Sequence, residues 1–300
     1  MNKNKNVGII VVTYNRKKLL KENLEALFCQ TYDKYDIFVI DNNSNDGTKE
    51  YISEFINDEK IRYINTGKNL GGAGGFSYGM KLVLKENYDY VWLMDDDTIP
   101  TKNALSSLVK KAKKINDNFS YIGSLVKWTN NELCIMNSQV ISKNWYKDYD
   151  KLYDGLIPIN SSSFVSFFVN AKIANSVGIP IKEFFIYGDD WEYSERLNKK
   201  NKGYLDIDSI VIHKMSSNKD VSIVDIDDNR IDRCYYNYRN VFYIMKKYHS
   251  KVRLTLFILK YFYTLFQILF KAKSKKIKRI WTMTKGMFSG IFFNPKIEHI

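Results

Sequence analysis

Apolar and polar positions along the first hundred residues alternate in blocks that predict strands followed by helices. Residues 7–13 form a continuous apolar run rich in β-branched side chains, the pattern of a strand buried on both faces. Similar runs occur at residues 37–40, 61–64 and 90–94, and apolar residues recur at helical spacing between residues 19 and 28. This alternation predicts an α/β fold with a mostly parallel, Rossmann-like sheet flanked by helices.

The last part of the chain has a different pattern, which predicts a helical tail. Residues 254–270 form an apolar run that reaches roughly 25 Å as a helix, shorter than the ~30 Å hydrocarbon core of a bilayer. Several polar side chains share one face of this helix, namely Arg253, Lys260, Thr264, Gln267 and Lys271. The pattern indicates an amphipathic helix that lies in a membrane interface and does not span it.

Two neighbouring segments support a membrane role for the tail. Residues 271–279 are rich in lysine and would attract anionic lipid, and residues 287–293 form a second apolar patch. The alternative is a helix that packs on the preceding domain or in a dimer interface, with its basic face in solvent.

Charge is distributed unevenly along the 300 residues. Residues 233–300 carry fifteen Lys and Arg and one acid, a formal charge of +14, whereas the first 232 residues carry −1. A nucleic-acid enzyme is expected to have basic charge around its cleft as well, so we expect no nucleic-acid partner. The length suits one large α/β domain with an appendage.

Cysteine usage and the N-terminus both indicate a cytosolic protein. Cys29, Cys134 and Cys234 are an odd number, lie far apart and read as reduced thiols. The apolar run at residues 8–12 is too short for a signal peptide, so none is expected.

Polar clusters follow three of the predicted strands, at residues 13–16, 41–46 and 95–97. Ligands of such sheets bind beyond the carboxyl ends of the strands, so these clusters predict one site at one edge. Between residues 121 and 169 a more mixed pattern predicts additional strands and a second surface of the site.

The triplet Asp95-Asp96-Asp97 is the strongest candidate for cation binding. Adjacent carboxylates repel one another unless a cation or strong donors compensate, and carboxylate oxygens favour Mn²⁺ or Mg²⁺. The alternative is a solvated acidic turn in which Asp97 caps a helix.

A second acidic pair, Asp189-Asp190, follows the aromatic segment 184–187. Partial removal from water raises the pKa of a carboxylate towards a value useful to a general base. The alternative is that one of the two caps the helix that runs through Leu197.

His213 ends a predicted strand at residues 210–212, and a neutral imidazole there suits Mn²⁺, although a lone histidine is more often structural. The glycine run at residues 71–75 lets the backbone approach a phosphate or sugar, or lets a helix pack closely. It lacks the Lys-Ser/Thr of a P-loop.

In order, these segments resemble the inverting, GT-A-fold glycosyltransferases of the family-2 type. The resemblance covers residues 7–213, and the ordered set of motifs is more specific than any one of them. The run Gly71-Gly72-Ala73-Gly74-Gly75-Phe76 and the motif Trp92-x-Met94-Asp95-Asp96-Asp97 are similar to the galactofuranosyltransferase branch.

The resemblance implies a role for each matched residue. Asp190 would be the catalytic base, supported by Asp189, Glu192 and Arg196. Asp95, Asp97 and His213 would hold a Mn²⁺ or Mg²⁺ cofactor. The donor sugar and phosphates would meet Gly71, Gly72, Gly74 and Asp96. The nucleotide would meet Thr13, Asn15, Arg16, Asp41, Asn69 and Asp95.

The implied domains are a GT-A catalytic domain at residues 1–217 and a basic helical region at residues 218–300. The first hundred residues would bind the nucleotide sugar, and residues 101–217 the acceptor. The implied reaction moves galactofuranose from UDP-galactofuranose to a hydroxyl of a glycan or lipid-linked glycan. A rhamnosyl- or other hexosyltransferase using a dTDP- or UDP-sugar is the alternative within the fold.

The implied location is the cytoplasmic side of a bacterial plasma membrane, as a peripheral protein in surface-polysaccharide synthesis, with oligomers possible. Two other classes remain as alternatives. A nucleotidyltransferase or metal-dependent phosphatase also uses acidic clusters, but Thr13-Tyr14-Asn15-Arg16 stands where a nucleophilic aspartate would be expected. A non-enzymatic basic membrane-binding protein explains the tail but leaves the acidic clusters without a role.

Overall fold

A computed structural model describes residues 7–215, 217–218 and 222–300. Residues 1–6, 216 and 219–221 lie outside the described residues. The first six belong to the predicted catalytic domain, and the others adjoin its predicted boundary at residue 217. The strands of the described part are β1 Val7–Thr13, β2 Tyr35–Asp41, β3 Ile61–Asn65, β4 Tyr90–Asp95, β5 Thr98–Pro100, β6 Tyr121–Trp128, β7 Val140–Ile141, β8 Leu156–Ser161, β9 Phe167–Asn170 and β10 Gly203–His213.

Helices flank these strands and form the C-terminal region. They are α1 Lys17–Phe28, α2 Thr48–Tyr51, α3 Ser53–Ile56, α4 Gly71–Val83, α5 Ala104–Lys114, α6 Ala171–Val177, α7 Asp189–Asn198, α8 Cys234–Tyr248, α9 Lys251–Lys271 and α10 Lys276–Phe292. Short 3-10 segments occupy Ile135–Asn137, Lys182–Phe184 and Asp228–Arg233, and a longer one, Trp145–Asp154, is interrupted by a kink at Asp148.

All strands of the described residues belong to one mixed sheet, in the order β3-β2-β1-β4-β9-β6-β10-β8-β7, with β5 paired to β10. The first four strands are parallel, as predicted. Beyond β4 the sheet mixes directions, because β9 runs antiparallel to both β4 and β6 whereas β10 is parallel to β6. The predicted α/β fold is confirmed, and antiparallel pairing involves the segment predicted as mixed, at residues 121–169, together with β4, β5 and β10.

The sheet is covered on both faces, which explains why every residue of β1 is buried. Ile9 and Val11 join a core with α1 and α5, whereas Ile10 and Val12 join a separate core with α4. Alternate side chains of a strand point to opposite faces, so a strand between two helical layers has to be apolar throughout.

The glycine run lies inside α4 and does not precede it. A Cβ atom on Gly75 would stand 2.6 Å from a methyl of Val12, and one on Gly79 would stand 2.6 Å from Ile10. These glycines therefore let the helix approach the sheet closely, as one of the two alternatives expected. Gly72 has open space around its Cβ position.

The C-terminal helices pack on one another through Ile268, Met283 and Cys234. Helix α9 spans 21 residues, roughly 31 Å at 1.5 Å per residue, and is longer than the apolar run from which its length was predicted. Within the described residues it is the one helix long and apolar enough to cross a bilayer. Thr264, predicted on the polar face, is instead buried against the neighbouring helices.

Candidate functional site

Strand register brings the predicted polar clusters to one edge of the sheet. Thr13 is paired with Asp41 at the ends of β1 and β2, and Asp95 ends β4 beside β1. His213 ends β10 and pairs with Thr98 of β5, the residue that follows Asp97. The short strand β5 therefore brings the histidine to the aspartate triplet.

Asp95, Asp97 and His213 each offer one ligand atom, and these atoms lie within 4.8 Å of one another. The Nε2 atom of His213 is 3.0 Å from Oδ1 of Asp97. Two carboxylates and an imidazole are a donor set that suits Mn²⁺ and tolerates Mg²⁺. The three residues thus form a possible metal site.

Asn137 fixes the orientation of the His213 ring. Its Oδ1 atom, which can only accept, lies 2.8 Å from Nδ1 of His213, so Nδ1 carries a proton and Nε2 faces Asp97. The amide nitrogen of Asn137 in turn donates to the Ser163 hydroxyl at 3.0 Å. Such outer partners set the tautomer of metal-binding histidines.

The charges of this group are strongly coupled. Burial opposes protonation of His213, but hydrogen bonds to Asp97 and Cys134 and the charge of Asp97 raise its pKa to about 10. Burial would raise the pKa of Asp97, yet His213 and Arg16 hold it below its usual value. A cation that binds Nε2 must therefore displace a proton.

Asp96 faces the end of β1. Its carboxylate accepts from the Thr13 hydroxyl at 2.7 Å and from Arg16 at 3.3 Å, while Arg16 also pairs with Asp97 at 2.6 Å. Burial, against the opposing charge of Arg16, raises the pKa of Asp96 to about 7. Asp96 is 3% exposed, and Asp97 precedes a strand, so the alternative of a solvated turn with a helix cap is wrong.

The loops after β1 and β2 are joined by hydrogen bonds. The Asn15 backbone nitrogen donates to the Ser44 hydroxyl, and the Asn15 side chain accepts from the Asn45 nitrogen, both at 2.8 Å. Asp41 is fully buried, and its carboxylate accepts from the Ser44 nitrogen at 2.7 Å and from the Tyr63 hydroxyl. The two loops that carry Asn15 and Asp41 are therefore held together, with the Asp41 carboxylate buried and hydrogen-bonded within the protein.

The start of α4 adjoins this surface. The Asn69 side chain accepts from the Gly71 nitrogen at 2.8 Å, and Asn42 donates to the Gly71 carbonyl at 3.0 Å. Gly71 has a positive φ of 72°, and a Cβ on Gly74 would stand 2.6 Å from Leu70. Of the three glycines predicted for donor binding, Gly72 has open space around its Cβ position.

The acidic pair lies in the first turn of α7. Gly188 precedes the helix, and no side chain caps it, so neither aspartate is its cap. Removal from water, partly offset by a hydrogen bond from the Trp191 nitrogen at 2.7 Å, raises the pKa of Asp190 to about 6. Burial and the charge of Asp190 raise the pKa of Asp189 well above its usual value. Burial and the charge of Asp97 raise the pKa of Asp95 to about 6, and the charge of Asp190 adds to this rise, so the two acidic clusters interact electrostatically.

The loop before the pair is strained. Phe185 and Tyr187 have positive φ angles of 63° and 68°, and the Ile186 nitrogen donates to the Phe184 carbonyl at 2.7 Å. This is a γ-turn of the rare positive-φ kind. Such backbone costs ~1–3 kcal/mol per residue and persists where surrounding contacts impose it.

A cavity of about 110 Å³ opens beside Asp190. Asn137, Trp191 and the serines at positions 161–163 line it, together with Met136 and Ser138. The cavity joins the residue that orients His213 to the acidic pair. A volume of about 110 Å³ can hold a small polar group but not a whole sugar chain.

Glu192 and Arg196, predicted as supports, form a buried ion pair one turn further along α7, at 2.9 Å. Arg196 also donates to the carbonyls of Val177 and Ile179 at 2.8 and 3.0 Å. The pair therefore fastens α7 to the preceding loop.

The site includes residues that the sequence did not single out, chiefly Asn137, Tyr63 and Asn42, and Asn240 of α8 donates to the backbone just before the acidic pair. Asn42 lies in the polar cluster at residues 41–46, so the sequence already indicated that it lies at this edge of the sheet. Asn137 and Asn240 lie in segments without a polar cluster, and only their contacts across the fold reveal them.

Comparison with known proteins identifies the family of this chain. The family model for glycosyl transferase family 2 matches residues 8–172, more than half of the chain. Galactofuranosyltransferase GlfT1 of Mycolicibacterium smegmatis is 27% identical over 199 residues, which cover 64% of this chain and 65% of that protein. GlfT1 of Mycobacterium tuberculosis is 29% identical over 199 residues, 64% of each chain. The match thus spans just under two thirds of the length of these relatives.

Solved structures share the fold. GalNAc-T7, crystallised with UDP, GalNAc and Mn²⁺, superposes with a TM-score of 0.65 at 13% identity, over 95% of this chain and 55% of that chain. S. aureus TarS in complex with UDP gives a TM-score of 0.55 at 15% identity, over 96% of this chain and 72% of that chain. The GT-A-type fold inferred from the motifs is confirmed, and the chain belongs to glycosyl transferase family 2.

Proposed function

We propose that this protein transfers galactofuranose from UDP-galactofuranose to a hydroxyl of a glycan or lipid-linked glycan, with inversion at the anomeric carbon. The observation that carries the proposal is the group formed by Asp95, Asp97 and His213, whose ligand atoms lie within 4.8 Å of one another where β4 and β10 end. The likeness to galactofuranosyltransferases over 199 residues supports the choice of sugar. The proposed reaction is a step in the synthesis of a bacterial surface polysaccharide.

The donor is proposed to bind along the edge from Asp41 to Asp97. Thr13, Asn15, Arg16, Asp41 and Asn69 would contact the nucleotide, and Gly71, Gly72, Gly74 and Asp96 the phosphates and sugar. Asp95, Asp97 and His213 would hold Mn²⁺ or Mg²⁺, which supplies positive charge for the leaving diphosphate.

Asp190 is proposed as the general base. The acceptor hydroxyl would enter the cavity beside Trp191 and give its proton to Asp190 as its oxygen bonds to the anomeric carbon. The bond from that carbon to the diphosphate oxygen breaks in the same displacement, so configuration inverts and no covalent enzyme intermediate forms. A carboxylate whose pKa is about 6 is largely ionised at pH 7 and ready to accept the proton.

Donor choice is the experiment that tests this function. Thermal shift and sugar-nucleotide hydrolysis are measured with UDP-galactofuranose, UDP-galactopyranose and dTDP-rhamnose, each with Mn²⁺ and with EDTA. We expect stabilisation and turnover with UDP-galactofuranose that need the cation. A preference for dTDP-rhamnose would replace the proposed sugar, and no response to any nucleotide sugar would contradict the transferase itself.

The C-terminal helices are proposed to rest on an anionic membrane on the cytoplasmic side. Helix α9 exposes an apolar stripe at Leu256, Leu259 and Phe266, and α10 exposes Trp281 and Phe288. The region around them carries a formal charge of +14. Apolar side chains flanked by lysine match a surface of anionic lipid better than the face of a second, equally basic copy.

Vesicle flotation tests this surface. Replacing Leu259 and Phe266 together by Asp is expected to lower partitioning onto phosphatidylglycerol vesicles at least ~100-fold, because each buried apolar side chain contributes ~1.5–3 kcal/mol. The matched control replaces two exposed tyrosines outside the tail, Tyr149 and Tyr153, by Asp. Flotation that is equal in the two variants, or a stable dimer that does not float, would contradict a membrane role.

A further inference from the structure

The C-terminal region contacts the loop that delivers the acidic pair. We propose that Asn240 and Arg239, both on α8, are positioning residues that set the backbone of residues 183–187 and so hold the Asp190 carboxylate in place. This inference rests on the proposed role of Asp190 as the base. It assigns a part in the reaction to a region outside the segment matched by the family model.

Asn240 is fully buried and its amide is directed at the loop. Its Nδ2 atom donates to the carbonyl oxygens of Phe184, Ile186 and Tyr187 at 3.0, 3.1 and 2.8 Å. An amide group has two hydrogens, so three acceptors around one nitrogen share them. The Asn240 amide therefore holds three carbonyl groups of one tight turn close together.

Arg239 fixes the direction of that amide. Its Nε atom donates to Oδ1 of Asn240 at 2.9 Å, which leaves Nδ2 facing the loop. Its Nη2 atom donates to the carbonyls of Glu183 at 2.5 Å and Phe184 at 3.3 Å. The guanidinium lies 4.0 Å from the centre of the Phe293 ring, which restrains it further.

The loop needs this restraint because its own backbone preferences oppose its shape. Phe185 and Tyr187 occupy positive φ, which side chains other than glycine rarely adopt. The three gathered carbonyl oxygens would repel one another without a shared donor, and a buried acceptor without a partner is unfavourable. Contacts with α8 therefore select the conformation from which α7 starts.

The other side of the loop contacts the proposed donor region. The Phe185 carbonyl accepts from the Ala73 nitrogen at 3.2 Å, and the Phe185 ring stacks on Tyr236 at 4.8 Å between centroids. The loop thus lies between α4 and α8. A chain cut at residue 217 would keep Asp190 and lose the groups that hold its loop.

The test is Asn240→Asp in the full chain, which keeps the side-chain volume and replaces the donor by an oxygen. Asn237→Asp, one turn earlier on α8, is the matched control, since Asn237 makes no hydrogen bond to the loop within the described residues. We expect kcat to fall ~10²-fold in Asn240→Asp, as for a catalytic group displaced by about 1 Å, with UDP–Mn²⁺ affinity and donor KM little changed. Amide exchange over residues 183–191 should accelerate in Asn240→Asp and not in the control.

A double-mutant cycle with Asp190→Asn separates positioning from general destabilisation. If Asn240 acts through Asp190, Asn240→Asp costs little further activity once Asp190 is replaced. Equal exchange of the loop in both α8 variants, additive losses in the cycle, or unchanged kcat in Asn240→Asp would each overturn the inference. If Asn240→Asp does not fold, Arg239→Lys takes its place. That variant keeps the positive charge and loses the Nε donor, and kcat and amide exchange of the loop are measured in the same way.

The role of Asp190 as the base and the positioning role of α8 can be rejected separately. An active Asp190→Asn variant would reject the base while leaving loop exchange to report on α8. Accelerated loop exchange with normal kcat would reject the positioning role and leave Asp190 as the base.

Discussion

Replacing Asp190 by Asn is expected to lower sugar transfer by ~10²–10⁴-fold, the loss typical of removing a general base. The amide has nearly the same shape and cannot accept the acceptor proton. UDP–Mn²⁺ affinity should persist, because Asp190 lies outside the group formed by Asp95, Asp97 and His213. Steady-state transfer and calorimetric titration of UDP with Mn²⁺ measure the two effects.

The same residue predicts the pH dependence of the wild-type enzyme. Burial raises the pKa of Asp190 to about 6, so the proposed base would be protonated and inactive below that pH and ionised above it. We therefore expect kcat to fall as the pH drops through about 6, and to lose this limb in Asp190→Asn. Glu54→Gln, an exposed carboxylate on α3 and outside the acidic pair, is the control. A loss of tenfold or less in Asp190→Asn, or loss of UDP binding in a folded variant, would contradict the assignment.

The fold of the nucleotide half could be predicted because its strands are buried on both faces. Residues 7–13 were predicted as a strand and β1 has those bounds, since no polar residue interrupts the run. The edge of the site followed from where such runs end. His213 could be placed for the same reason, as the last residue of a strand.

The second half could not be predicted in this detail. Its strands are mixed in direction, and β9 inserts between β4 and β6 although it follows β6 by several elements. Asn137 reaches His213 across 76 positions and Asn240 reaches Phe184 across 56. Hydrogen bonds over such separations leave no periodicity, so these partners become visible only in three dimensions.

The tail shows a related limit of pattern reasoning. The membrane-interface prediction from residues 254–270 gave the helix one polar face and one apolar face, with packing on the preceding domain as the alternative. In the fold, α8 and α10 cover Thr264 and Ile268, while Leu256, Leu259 and Phe266 stay exposed. The amphipathic pattern indicated a helix correctly, but neighbouring helices decide which side of it meets solvent.

Replacing Asp97 by Asn is expected to abolish Mn²⁺-dependent UDP binding and to lower transfer by at least the same ~10²–10⁴-fold. A cation held by this group would stabilise the leaving diphosphate by several kcal/mol, and each ~1.4 kcal/mol changes the rate tenfold. Asp97 also bonds to both His213 and Arg16, at 3.0 and 2.6 Å, so one substitution removes a ligand and frees two cationic groups in the site. Manganese titration followed by paramagnetic resonance measures the affinity directly.

A graded series distinguishes metal binding from a purely structural ion pair. Asn137→Ala removes the partner of His213 Nδ1 and should weaken Mn²⁺ by ~10–100-fold, the effect of losing an outer-shell group. Asp97→Asn should weaken it more, and Asp96→Asn, whose carboxylate bonds to Thr13, should weaken it least. If all three bound Mn²⁺ like the wild type while losing stability, Asp97 and His213 would be a structural ion pair. The rank order of the three affinities therefore decides whether the ends of β4 and β10 form a metal site.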